Sequence, residues 1–214
     1  MPAGRPRAFD VDQALEQAMQ VFWKKGYEGT SLPNLTEAMG INRPSLYAAF
    51  GNKEELFRKA LQRYGAGPAA CLKKALELPT ARQAVETMLA AAAEMQTDPS
   101  SPAGCLAVQG ALACGEAADP IRQALIKSRN AFRETLEARL EQARTEGDLP
   151  ANFAPTHLAQ YYVTVLQGMA VQAASGATRV ELQSVIKVAM SVWPEASPES
   201  EIRTPIDELR MTNS

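Results

Sequence analysis

Between residues 42 and 53 stand an amide, a guanidinium, a hydroxyl, a phenol and an ammonium: Asn42, Arg43, Ser45, Tyr47 and Lys53. Their shared chemistry is hydrogen bonding and charge; no nucleophile and base are paired among them. A guanidinium such as that of Arg43 can bond guanine in bidentate fashion, Ser and Asn can reach bases or phosphates, and small apolar groups such as Pro44 and Ala48 can touch a thymine methyl. Tyr47 and Lys53 suit phosphate. Lys53 also opens a helical stretch, where unsatisfied backbone N–H groups favour an anion. Two bland alternatives stand beside this: Tyr47 as a half-buried core aromatic, and Arg43 as a solvated surface residue.

Other chemistry is poorly served. The one histidine, His157, has no Cys or second His three or four residues away, so no metal site is expected. Residues 65–70 spell a GxGxxG/A pattern, but no strand precedes it and Pro68 interrupts it. Gly110 and Gly115 have phosphate-loop spacing, yet Glu116 stands where a lysine is required, and its charge would repel phosphate. No GxSxG or HExxH occurs. An enzyme is therefore disfavoured, and no cofactor is expected. The three cysteines (Cys71, Cys105, Cys114) are too few and too oddly counted for a disulfide framework and fit a reducing cytoplasm.

The elements that must position the polar cluster are helices. Val11, Ala14, Leu15, Ala18, Met19 and Phe22 make one apolar stripe at helical spacing, opened by Asp10 and closed by Gly26. A short helix is expected over 31–39 with Pro33 in its first turn, then a turn at Gly40, then a second short helix over 43–49 capped by Asn42. Two short helices joined by so tight a turn form a helix-turn-helix. Leu35, Met39, Leu46 and Phe50 would face inward, leaving the polar cluster outside. Asn52 and Glu55 cap a fourth helix. Beyond it, helices are expected over 80–96, 104–115, from Asp119 to Gly147, from Pro155 to about 175, and from Thr178 to Pro194, with a loop over 97–103. No strand pattern stands out.

The chain has 214 residues, 46% hydrophobic and 21% charged, close to the globular average, which excludes general disorder. Net charge is −2, but residues 1–64 carry nine Lys/Arg against seven Asp/Glu, a small basic end on an acidic body. No signal peptide or spanning helix is expected. The organisation expected is a head over 1–65, a second domain over 66–194 and a polar tail over 195–214.

The stretch FWKKGYEGTSLPNLTEAMGINRPSLYAAFGNKEELF, Phe22 to Phe57, closely resembles the N-terminal domain of TetR-family transcriptional regulators. The matching features run in order: Phe22, Gly26-Tyr27, Thr30-Ser31, Met39-Gly40, Leu46-Tyr47, Phe50, Lys53-Glu54 and Leu56-Phe57. The resemblance implies an all-α homodimer with a three-helix DNA-binding head and a ligand and dimerisation domain of about six helices. It implies a cytoplasmic, effector-released repressor on a palindromic operator in double-stranded DNA. The first alternative is a DNA binder or activator without an effector. Carried over by position, Thr30, Ser31, Tyr47 and Lys53 would hold phosphates, while Arg43, Pro44 and Ser45 would face the major groove with Ala48 beside them. Ala48 and Ala49 are smaller than many family members use, which puts more weight on Arg43. Arg5 and Arg7, in a Pro-stiffened arm, could enter a narrow minor groove.

The resemblance places the dimer surface on the last two long helices, whose apolar residues exceed what one monomer's core needs; Leu158, Val165, Ala173, Val185, Ala189, Val192 and Trp193 are candidates, each with intradomain core as its alternative. Candidate lining for an effector pocket is Met88, Met95, Cys105, Val108, Leu112, Tyr161, Tyr162 and Met169, each of which has plain core as its alternative. Gly104-Cys105-Leu106 is similar to a segment in a branch of the family that includes thiol-based sensors. Cys105 in a first helical turn would have a lowered pKa, and an electrophile could then be the effector. Its alternative is a small buried hydrophobe.

Overall fold

The computed structural model describes residues 9–110, 115 and 118–194, and among them the chain is helical without strands. Arg5, Arg7, Leu112, Cys114 and the expected tail lie outside the described residues. The helices are α1 (Val11–Lys25), α2 (Leu32–Met39), α3 (Arg43–Phe50), α4 (Lys53–Ala66), α5 (Ala70–Ala75), α6 (Ala81–Gln96), α7 (Leu106–Gln109), α8 (Asp119–Glu146), α9 (Pro155–Ala174) and α10 (Arg179–Ser191).

Local chemistry sets the boundaries. Asp10 caps α1 by accepting from the amides of Asp12 and Gln13. Ser31 and Asn34 form a reciprocal capping box at α2, as Asn52 and Glu55 do at α4 and Thr178 and Glu181 at α10. Gly40 takes φ 64°, a left-handed conformation that lets α2 end and the chain turn into α3 within two further residues.

Two apolar clusters result. In the head, Phe22, Leu35, Leu46, Phe50 and Phe57 are fully packed, with the Phe22 and Phe57 rings edge to face at 5.0 Å. In the body, Met88, Leu89, Leu136, Leu140, Tyr162 and Leu166 make the core. The head cluster does not stop at α4. It takes in Cys105, Leu106 and Val108 around α7, Ile121 and Leu125 of α8, and Ala170 of α9. Packing therefore crosses the boundary expected after residue 65.

Three elements differ from the sequence expectation. The helix expected over 104–115 is only the four residues of α7 among those described, because Gly104 takes φ 87° and Cys105 is still extended as the cap. A short α5, absent from the sequence reading, forms where Leu72 and Ala75 bury against the body. The final helix ends at Ser191, ahead of Pro194, since the residue before a proline avoids the helical region.

Candidate nucleic-acid interface

Leu46 and Phe50 anchor α3 in the head core and so fix its rotation. Arg43, Pro44, Tyr47 and Ala48 consequently lie on the outer side and are exposed. Tyr47 is 49% exposed, which removes the core-aromatic alternative. Asn42 caps the helix, its Oδ1 accepting from the Ser45 amide at 2.9 Å. The side-chain oxygen of Asn42 is thereby committed, leaving its NH2 as the group able to donate outward. Ser45 is half-buried beside it.

Two flanking sites can meet phosphate. Ser31, exposed, caps α2 by accepting from the Asn34 amide at 3.2 Å. Lys53 begins α4, and its Nζ lies 4.2 Å from the centroid of the Tyr27 ring. That ring is itself fixed, edge-on to Phe57 at 5.4 Å. A cation held over an aromatic face gives up conformational freedom before any ligand arrives. Spacing does not pair Tyr27 with Lys53, which stand 26 residues apart in the sequence.

Thr30 requires a correction. It is 1% exposed, and its hydroxyl donates to the Gly26 carbonyl at 2.6 Å. It braces the turn after α1 and presents no group to a phosphate.

The body holds a cavity of about 220 Å3 bounded by α4 through α9. Cys105 and Val108 line it. Met88, Tyr162 and Met169 do not; they are buried in the body core. Tyr162 instead donates to the Ala189 carbonyl at 3.3 Å, and burial pushes its phenol upward. Tyr161 points to solvent. Met95 packs between the two clusters near Tyr64, outside the lining. Sequence reasoning missed Tyr64, Gln96, Arg129 and Phe132, all of which line the cavity.

Cys105 is buried, and its Sγ accepts from the Tyr64 hydroxyl at 3.2 Å. Burial pushes the thiol above its ordinary range despite that bond, and pushes Tyr64 further still. The lowered thiol pKa expected from a helix start is thus overturned: α7 is a single turn, and desolvation outweighs its few amides.

On the last two helices, Val185, Val188 and Val192 of the α10 region form an exposed row, Val188 being 69% exposed; Tyr161 and Val171 are exposed on α9. Leu158 and Val165 are half-buried against the body core. Ala173, Ala189 and Trp193 are corrected: all three are buried within the protomer, Trp193 at 7% exposure with its ring 5.6 Å from Tyr162. Val188 was not foreseen. Among the described residues no group of three or more His, Cys, Asp or Glu could hold a metal, and no helix is long and apolar enough to cross a membrane.

Comparison with known proteins gives a consistent result. The model for bacterial regulatory proteins of the tetR family matches residues 14–60, and that for a tetracyclin repressor-like C-terminal domain matches residues 80–188. The chain is 40% identical over 197 residues to the HTH-type transcriptional repressor ComR of Escherichia coli (strain K12), covering 90% of this chain and 92% of ComR. It is 38% identical over 109 residues to the repressor BdcR of the same organism, covering 50% of this chain and 55% of BdcR. A cysteine mutant of the TetR family transcriptional regulator CifR, solved with 26-base-pair double-strand operator DNA, aligns with TM-score 0.87 and 42% identity over 89% of this chain and 100% of that one.

Proposed function

The chain belongs to the TetR family of helix-turn-helix transcriptional regulators, and from that premise we propose that it is a repressor that binds a palindromic operator as a homodimer and releases it when a small molecule fills the body cavity. The observation that carries the reading is the outward face of α3, where Arg43, Pro44, Tyr47 and Ala48 stand clear of a rigid core. Arg43 is the long donor for a base edge, Tyr47 and Lys53 the phosphate contacts, and the α2 and α4 N-termini add backbone donors. The CifR relative in complex with operator DNA supports double-stranded DNA as partner. The row of valines on α10, with Tyr161 and Val171 on α9, supports a two-fold pairing of these helices between protomers. A palindromic operator would require the two heads about 34–36 Å apart, one turn of DNA.

A physical link joins cavity to head. Arg129 of α8 lines the cavity and donates from Nη1 to the Ala107 carbonyl in α7 at 2.8 Å. Directly after α7, the Gly110 carbonyl accepts from the Tyr27 amide at 2.9 Å. Tyr27 in turn carries Lys53 on its ring. A ligand that favours another placement of α7 would also displace a phosphate contact, and it needs only differential affinity for the two states. The burial of Cys105 favours a non-covalent ligand over an electrophile.

Selection of bound duplexes from a random pool, followed by measurement of protomers per site, tests the proposal. Enrichment of an inverted repeat bound by two protomers is expected. Absence of any enriched sequence, or a site bound by one protomer, refutes it.

A further inference from the structure

The chemistry of the cavity wall narrows what could fill it, an inference that rests on the effector reading above. Its lining includes two cations, Arg129 and Lys73, and no Asp or Glu. Lys73 is exposed at the rim, whereas Arg129 is half-buried. A guanidinium has five N–H donors; one of those on Arg129 serves Ala107, and among the described residues no carboxylate pairs with it. Burial holds the Arg129 pKa below its ordinary value, so its charge is short of solvent.

A second polar group on the wall is also incomplete. Gln96 is 1% exposed and lines the same cavity. Its Nε2 donates to the Leu166 carbonyl at 3.4 Å, while its Oε1 meets no donor. A buried acceptor left without a partner is uncommon in a folded protein. The remaining wall is largely apolar, with Leu61, Leu72, Phe132 and Leu166. The volume of about 220 Å3 lies below the range of about 300–1,000 Å3 typical of drug-sized sites, so the occupant is small.

We propose that the effector is a compact amphipathic carboxylate: its carboxylate pairs with Arg129, its apolar body lies against Phe132 and Leu166, and a hydroxyl or N–H remote from the carboxylate donates to Gln96 Oε1. A planar carboxylate matches the guanidinium fork, which gives charge and direction together. The same guanidinium pins α7 through Ala107, so pairing at Arg129 acts on the segment that contacts the head.

The test uses the full chain and three probes measured by titration calorimetry: 4-hydroxyphenylacetate, phenylacetate and 4-hydroxyphenylacetamide. 4-Hydroxyphenylacetate is expected to bind most tightly, and the amide about tenfold or more weakly. Arg129→Gln should remove that preference by weakening the acid far more than the amide, with a far-UV spectrum like that of the wild type reporting an intact fold. Arg129→Lys should keep part of the preference. Gln96→Leu should abolish the advantage of 4-hydroxyphenylacetate over phenylacetate. No binding of either carboxylate, equal binding of acid and amide, or wild-type acid binding by Arg129→Gln would overturn the proposal. Carboxylate binding that leaves operator affinity unchanged upholds the anion site and refutes effector release. Release by a neutral compound indifferent to Arg129 upholds release and overturns the carboxylate.

Discussion

Thr30→Val separates bracing from DNA contact within the head. The substitution keeps the branched shape and removes the hydroxyl that reaches the Gly26 carbonyl at 2.6 Å. Because Thr30 is fully buried, water cannot replace that donor from its side, and an unpaired buried acceptor costs about 1–3 kcal/mol. Gly26 itself is only half-buried, which points to the lower part of the range. For a chain of this length each kcal/mol moves the melting temperature by about 2–4 °C. A loss of about 1–2 kcal/mol therefore predicts a fall of about 2–8 °C in a calorimetric scan. At a temperature where the variant is folded, operator affinity should equal that of the wild type, since no phosphate bond is removed. An unchanged melting temperature together with weakened operator binding would refute the bracing role and restore Thr30 as a DNA contact.

Four further outcomes follow from the same geometry. Arg43→Ala should lower affinity for the operator by about 1–3 kcal/mol and relax the preference for one base pair; a variant that retains wild-type selectivity in a base-by-base binding assay counts against Arg43 as a reader. Lys53→Ala should weaken binding to all duplexes and lower the slope of log K against log salt by about 1, as one phosphate contact is lost; an identical slope would place Lys53 off the backbone. Val188→Glu, on an exposed site, should give folded monomers by sedimentation, whereas Trp193→Glu should unfold the body; a dimeric Val188→Glu would move the interface elsewhere. Cys105 and Tyr64 are both pushed up by burial, so the unfolded chain loses these protons first as pH rises. Stability from these groups is therefore complete below the ordinary thiol pKa of about 8.5 and declines above it. Denaturant titrations in alkaline buffers should show that decline, smaller in Cys105→Ala, and a stability that rises with pH would contradict it.

The head was legible because its signals are local. Pro33, Gly40, Asn42 and Pro44 act through their own φ angles and nearest amides, so the short α2 and α3 could be placed without knowledge of the rest. Leu35, Leu46 and Phe50 follow helical spacing, which fixed the outward side of α3 in advance. What sequence could not show depends on contacts across the fold. Thr30 looks like an exposed hydroxyl next to a cap until the turn closes over it. Trp193 reads as surplus apolar area until Tyr162 and Met190 are packed beside it. Arg129 sits in α8 among charged residues and resembles a solvated face; only the approach of α7 turns it inward. Val188 lies on a helix whose apolar residues cover two sides, one for the protomer and one left outside, and spacing alone does not say which valine is which. α5 is six residues long, too short for a period to register.

The central claim is that α3 reads a specific sequence and does so twice per dimer. The most direct measurement is the ratio of affinities for the selected inverted repeat and for a scrambled duplex of equal length, taken across a series of salt concentrations. The account predicts a ratio of about 10³ or more at physiological salt, two protomers on the repeat, and loss of most of that ratio when the two half-sites are moved apart by half a helical turn. Equal affinity for repeat and scrambled duplex, with the same salt slope for both, would mean that the head binds charge alone and would contradict it.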